Sequence, residues 1–264
     1  LQHGPITQMK FLYNGDKREL TNKEFYSSVP SPDFYVLDGK ISKTILRNRG
    51  VDSKNIYISG PLRLDDVFKI ANDSYKIERF NTDNTRILVA PGHNDTDFVV
   101  RLILRSIKNS NYKVIIKSHP KIEPEVIEQL IINNLDEEDL LKNNISIVRD
   151  GDIYENMQNC DIFVCSYSST GVEAIAFGLP IILLQSNRTP DMSLFYKYKN
   201  DILSARSSKI LRKHLDYLTT NEDFRNQYLN DLKKVLKDSF YQSNATKSKK
   251  LELLFSELNR TLKV

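Results

Sequence analysis

Two stretches, Val114-Ile115-Ile116-Lys117-Ser118-His119-Pro120 and Ile162-Phe163-Val164-Cys165-Ser166-Tyr167-Ser168-Ser169-Thr170-Gly171-Val172-Glu173, share one form. In each, an apolar run of strand type stops at a cluster of side chains able to hold a phosphate. Open α/β sheets bind ligands just beyond the carboxyl ends of their strands. Two polar clusters at two such ends point to one nucleotide site assembled from separate parts of the chain.

Strand and helix patterns alternate outward from these segments. Residues 34–37 and 55–58 read as strands on either side of a helix, 41–49, that Gly50 stops. Residues 72–84 are polar and aperiodic, which suits a linker. Beyond them the pattern is strand 87–90, helix 95–108, strand 112–117, helix 124–133, strand 145–148, helix 153–158, strand 161–165, helix 170–177 and strand 180–184. Short, wholly apolar strands alternating with helices imply an α/β fold with a parallel sheet covered on both faces. From residue 207 the chain reads as charged helix, with Leu211, Leu215 and Leu218, then Leu229, Leu232 and Val235, at core-packing spacing.

Thr170 to Glu173 fits a capping box, with Thr170 as N-cap, so a helix is expected to start directly after a buried strand. Its unpaired N–H groups would face the sheet edge. Capping accounts for Thr170 and Glu173 but not for Ser168 and Ser169, which add hydroxyl donors at the same point; Gly171 would let a ligand approach the backbone. On the other segment, strand alternation puts Lys117 and His119 on one face, and Pro120 turns the chain. His119 could donate to a phosphate and Lys117 could add charge. Pro91-Gly92-His93 ends a third strand, where Gly92 suits either a tight turn or close approach to a ligand. Gln2-His3-Gly4-Pro5 is a fourth such end, and His3 reads equally well as structural or functional.

Composition narrows the field. A chain of 264 residues, 40% hydrophobic and 27% charged, is long enough to bury a sizeable core. A net charge of +4 suits an anionic substrate or a membrane surface, and is too weak for a nucleic-acid footprint. Cys160 and Cys165 flank one strand without metal or disulfide spacing, which suits a reducing cytoplasm. There is no apolar run near the roughly 18 residues of a membrane helix, and no signal peptide pattern. The chain begins at Leu1 on what reads as a strand end, as a piece of a longer protein would. No Asp-x-Asp metal pattern follows a strand; Asp150-Gly151-Asp152 precedes a helix and reads as a turn.

The His119-Pro120 and Ser168-Ser169 pairs, the segment Glu173-Ala174-Ile175-Ala176-Phe177-Gly178-Leu179-Pro180 and the opening Gln2-His3-Gly4 resemble bacterial GT-B glycosyltransferases that use cytidine-nucleotide donors. The pattern is most similar to polysialyltransferase-like and Kdo-transferase-like enzymes of capsule and surface-polysaccharide assembly. It also resembles the CDP-glycerol glycerophosphotransferases of teichoic-acid assembly, through Lys117-x-His119-Pro120, the Ser pair, His3-Gly4 and a disturbed Gly60-Pro61-Leu62-Arg63-Leu64-Asp65 segment. The chain departs from that second family in lacking the tryptophan that often precedes the His-Gly histidine; it has no tryptophan at all.

The resemblance implies the end of an N-terminal, acceptor-side lobe over residues 1–78 and a Rossmann-like donor lobe with C-terminal helices over 79–264. It implies a metal-independent transfer of an acidic sugar from a CMP-sugar to a glycan or lipid-linked glycan, without cofactor, in the cytoplasm or at the inner membrane face. On this resemblance His119, Pro120, Ser168 and Ser169 would hold the donor's cytidine monophosphate; the reading of the residues adds Thr170, Gly92 and Lys117 as donor contacts, and the second resemblance adds Arg63. Glu173 would hold the ribose or only cap its helix, and His119 and His3 are the candidate catalytic residues, His3 as base. A carboxylate of the N-terminal lobe is the alternative base. Transfer of glycerol phosphate from CDP-glycerol and a non-catalytic nucleotide-binding module are the rival readings.

Overall fold

The computed structural model describes residues 6, 32, 34–60, 80, 84–142, 144–187, 193, 195–239 and 247–262. The chain divides into two compact units, residues 1–69 with 234–264, and residues 70–233. The expected lobe boundary at 78–79 lies outside the described residues, as does most of the expected linker.

In the first unit, strands β1 (Tyr35–Leu37) and β2 (Ile56–Ile58) pair in parallel, joined through helix α1 (Lys40–Asn48). Leu37, Ile45, Leu46 and Ile56 bury together with Ile6, and Tyr35, Ile41 and Val51 pack against them. The α1 face that meets the sheet is thus set by the helical spacing of Ile41, Ile45 and Leu46.

The second unit is built on a six-stranded parallel sheet: β3 (Arg86–Ala90), β4 (Lys113–Lys117), β5 (Ile145–Val148), β6 (Ile162–Cys165), β7 (Ile181–Leu184) and β8 (Ser204–Ala205). The spatial order is β5-β4-β3-β6-β7-β8. Chain order runs outward from β3 to β5, then returns to the other side of β3 and runs outward again from β6. The reversal makes the gap between β3 and β6 the topological switch point. Ile87, Leu88, Val89 and all of β6 are at most 0% exposed, which is why these central strands read as continuous apolar runs, whereas β4 alternates.

The connecting helices are α2 (Thr96–Ile107), α3 (Pro124–Ile132), α4 (Glu137–Lys142), α5 (Ile153–Gln158) and α6 (Thr170–Ala176); α7 (Ser208–Thr220), α8 (Glu222–Ser239) and α9 (Lys247–Leu262) follow. Helix α2 packs against α3 and α7. Arg212 of α7 donates to the carbonyls of Ser106 (3.3 Å) and Lys108 (2.9 Å) at the end of α2, satisfying acceptors that a helix end leaves open. Tyr228 bridges strands from below: its hydroxyl donates to the Ile181 carbonyl (2.7 Å) and accepts from the Leu203 N–H (3.0 Å). Helix α4 and the two-residue β8 carry too little periodicity to be read from sequence.

The start of α6 corrects one expectation. Its N-cap is Ser169, in helical conformation (φ −65°, ψ −17°) and without a side-chain cap bond, and Thr170 is the first helical residue. The hydroxyl of Ser168 accepts the Thr170 N–H (3.2 Å) instead. The helical geometry begins one residue early because a serine two positions back supplies the local turn bond.

Candidate functional site

The ends of β3, β4 and β6 converge on a cavity of about 580 Å³. Pro91, Gly92 and His93 reach it from β3, His119 from β4, and Ser166, Tyr167 and Ser168 from β6; Asp95, Asp97 and Phe98 close it from the start of α2, and Ser186 from the end of β7. It lies at the carboxyl edge of the switch point, where a parallel sheet leaves room between diverging connections.

Its floor is tied across the switch point by Asp95. The carboxylate accepts from the Gly92 N–H (Oδ1, 2.8 Å) and from the Ser166 hydroxyl (Oδ2). Thr96 Oγ1 returns a bond to the Gly92 carbonyl at 2.8 Å. A Cβ on residue 92 would lie 2.9 Å from Asp95 Oδ1, so the glycine serves this closely folded turn.

His119 stands 5.6 Å from His93, ring centre to ring centre, with the planes inclined at 55°. The Lys121 N–H donates to His119 Nδ1 (3.2 Å), and the Ile122 N–H closes the turn at Pro120 onto the His119 carbonyl (2.8 Å). A ring whose Nδ1 accepts is neutral with its proton on Nε2, so His119 presents an N–H donor. Burial, then the neighbouring His93 and Lys121, push the His119 pKa down and favour that neutral form. Ser168 Oγ accepts from the Thr170 N–H and from Thr170 Oγ1 (2.6 Å), which leaves its own proton to donate.

The sequence-predicted residues separate into groups. His119, Ser168 and Gly92 come together on the cavity. Pro120, Ser169 and Thr170 stand directly beside the lining residues and shape their turns. Lys117 turns elsewhere: its ammonium donates to the carbonyls of Arg149 (2.6 Å), Asp150 (2.9 Å) and Gly151 (3.0 Å), holding the loop after β5. That commits all three of its N–H donors, against the expected anion contact. Glu173 is 5% exposed within α6. Gly171 also has a packing reason: a Cβ there would lie 3.3 Å from both Cys165 Sγ and the Phe195 ring. His3 and Arg63 lie outside the described residues.

Sequence reasoning passed over His93, Asp95, Ser166 and Ser186 as site residues. The signal for His93 and Asp95 was present in Pro91-Gly92-His93-Asn94-Asp95, a strand end of the same form as the others. Its importance follows from the strand order, which places β3 in the centre of the sheet.

Residues 88–172, from β3 to the start of α6 and about a third of the chain, match the model of a family described as alpha-2,8-polysialyltransferase. No curated protein matches the chain. Among solved structures, the S. aureus MnaA–UDP co-structure is 14% identical with a TM-score of 0.57, covering 82% of this chain and 62% of that one. A UDP-N-acetylglucosamine 2-epimerase is 13% identical at TM-score 0.54, over 86% of this chain and 58% of that one. The wall teichoic acid polymerase TagF in a CDPG soak is 17% identical at TM-score 0.50, over 88% and 58% respectively. The chain spans 58–60% of the length of the first structures it matches. Together with the strand order and the site at the switch point, these likenesses give the chain a GT-B-like fold with a Rossmann-like parallel-sheet lobe.

Proposed function

We propose that the chain is the donor-binding part of a metal-independent glycosyltransferase that moves an acidic sugar, of sialic acid or Kdo type, from a CMP-sugar to a surface glycan or lipid-linked glycan. The observation that carries this reading is the meeting of His119 and Ser168 on one cavity at the switch point. Both fall within the stretch that matches the polysialyltransferase model.

In such a transfer the acceptor hydroxyl forms a bond to the anomeric carbon as the bond to the CMP phosphate oxygen breaks. The leaving group is already a phosphate, so the demand on the protein is to stabilise growing negative charge. The His119 Nε2–H and the Ser168 hydroxyl are donors fixed in place before reaction by the bonds to Lys121 and Thr170. A preorganised donor of this kind typically contributes about 3 kcal/mol. His3 remains the candidate base for the acceptor hydroxyl. The reaction would run in the cytoplasm or at the inner membrane face; among the described residues no helix is long and apolar enough to cross a membrane.

Calorimetric titration with CMP, CDP, UMP and UDP tests the reading. Preference for CMP supports it. The Lys117-x-His119-Pro120 motif also suits glycerol phosphate transfer, and tighter CDP binding favours that reaction. Uridine preference, or no nucleotide binding, rejects the cytidine assignment.

A further inference from the structure

The lining of the cavity, among the described residues, is short of positive charge for an anion site. Among the described residues that line it there are two carboxylates, Asp95 and Asp97, and neither lysine nor arginine. Lys117, at the end of β4, is committed to loop carbonyls. Asp97, at the start of α2, is paired with Arg101 at 2.8 Å, while Asp95 lies between the Gly92 N–H and the Ser166 hydroxyl. The groups in this lining able to become positive are the rings of His93 and His119. A phosphate entering beside Asp95 with both rings neutral would meet a negative field.

We propose that His93 is a second phosphate-binding imidazole and that the His93–His119 pair takes up a proton when the nucleotide binds. This rests on the cytidine-nucleotide reading and adds to it how the phosphate's charge is met. At 5.6 Å between ring centres, a proton on one ring disfavours a proton on the other, so the pair has room for one added charge. The Lys121 N–H, bonded to Nδ1, favours the neutral form of His119. A bound phosphate reverses the balance: its charge stabilises one imidazolium, and the other ring remains an N–H donor. The remaining titratable or charged neighbours are Lys121, which disfavours the proton on His119, Asp95, held by the Gly92 N–H and the Ser166 hydroxyl, Asp97, paired with Arg101, and Tyr167. No bond of the donor changes in this step; the proton comes from the buffer.

Calorimetry of this chain with CMP, in buffers of different ionisation enthalpy at pH about 7.5, reads the proton count. The expected result is uptake of about one proton per CMP, and none with cytidine, which has no phosphate. CMP affinity should rise roughly tenfold per pH unit from about 8.5 down to 7, above the range where the nucleotide phosphate itself protonates. His93 is exposed, so His93→Gln keeps the fold, and it should lose at least half of the uptake and flatten the pH dependence. CMP binding without proton uptake, or full uptake in His93→Gln, overturns the proposal while leaving the nucleotide site standing. Failure of the unaltered chain to bind CMP at any pH in this range overturns both.

Discussion

Asp95 and Ser166 join the two strands that flank the switch point: the carboxylate at the start of α2 accepts the hydroxyl at the end of β6 and, through its other oxygen, the Gly92 N–H at the end of β3. One side chain therefore fixes the separation of the two loops that present His93 and Ser168. Asp95→Ala removes both bonds and leaves the Gly92 N–H and the Ser166 hydroxyl without their acceptor. A loss of about 1–3 kcal/mol is expected, read from the urea midpoint. Asp95→Asn keeps an oxygen for Gly92 and offers an N–H to Ser166, so it should cost less than half as much. Equal losses in the two variants would show that the bridge does not hold the site.

The role given to His119 depends on a donating Nε2. His119→Ala should abolish cytidine-nucleotide binding measurable by calorimetry. His119→Asn, which can place an amide N–H near the position of Nδ1 but not of Nε2, should bind no better. His119→Gln, with its longer reach, should recover part of the affinity. Unchanged CMP affinity in His119→Ala would remove the centre of the functional reading.

Lys117 distinguishes loop support from phosphate binding. Its ammonium meets three carbonyls between 2.6 and 3.0 Å, and hydrogen bonds of a charged donor contribute more than neutral ones. Lys117→Met should lower stability by no more than about 0.5–1.5 kcal/mol, because the exposed carbonyls of residues 149–151 exchange their shared donor for water. CMP affinity should change less than about threefold, well under the tenfold that corresponds to 1.4 kcal/mol. A tenfold or larger loss of affinity, with stability retained, would return the ammonium to the phosphate.

The alternation of apolar runs and helices was enough to read β3 to β7 and the helices between them, because buried parallel strands must be apolar throughout and each needs a crossover. His119 and Ser168 were legible for the same reason: each stands where an apolar run stops. The fate of Lys117 was not, since strand alternation gives a face but not the direction of a long side chain at a strand's last residue. Nor was the pairing of Asp95 with Ser166, which are 71 residues apart and meet only because β6 returns to the side of β3. The capping of α6 was read one residue late, as Ser169 and Thr170 are both good caps on paper and the helical backbone already adopted at Ser169 decides between them.

Gly171 sets packing against propensity at the point where α6 leaves β6. It lies inside a helix at an ordinary φ, so alanine should favour the helix by about 0.5–1 kcal/mol. Against that, the new Cβ would sit 3.3 Å from Cys165 Sγ and 3.3 Å from the Phe195 ring, both buried. Overpacking of a filled core costs about 1–3 kcal/mol, so crowding should win and Gly171→Ala should lower the thermal midpoint. The cause can be isolated. Cys165 is fully buried, and Cys165→Ala removes the sulfur from one side of the clash while opening a small void of its own. The double variant should then be more stable than the sum of the single losses predicts, by about 0.5–1 kcal/mol, with the Phe195 contact accounting for the remainder. Strict additivity, or a Gly171→Ala chain more stable than the original, would mean that the helix yields at no cost and that the glycine is not there for packing.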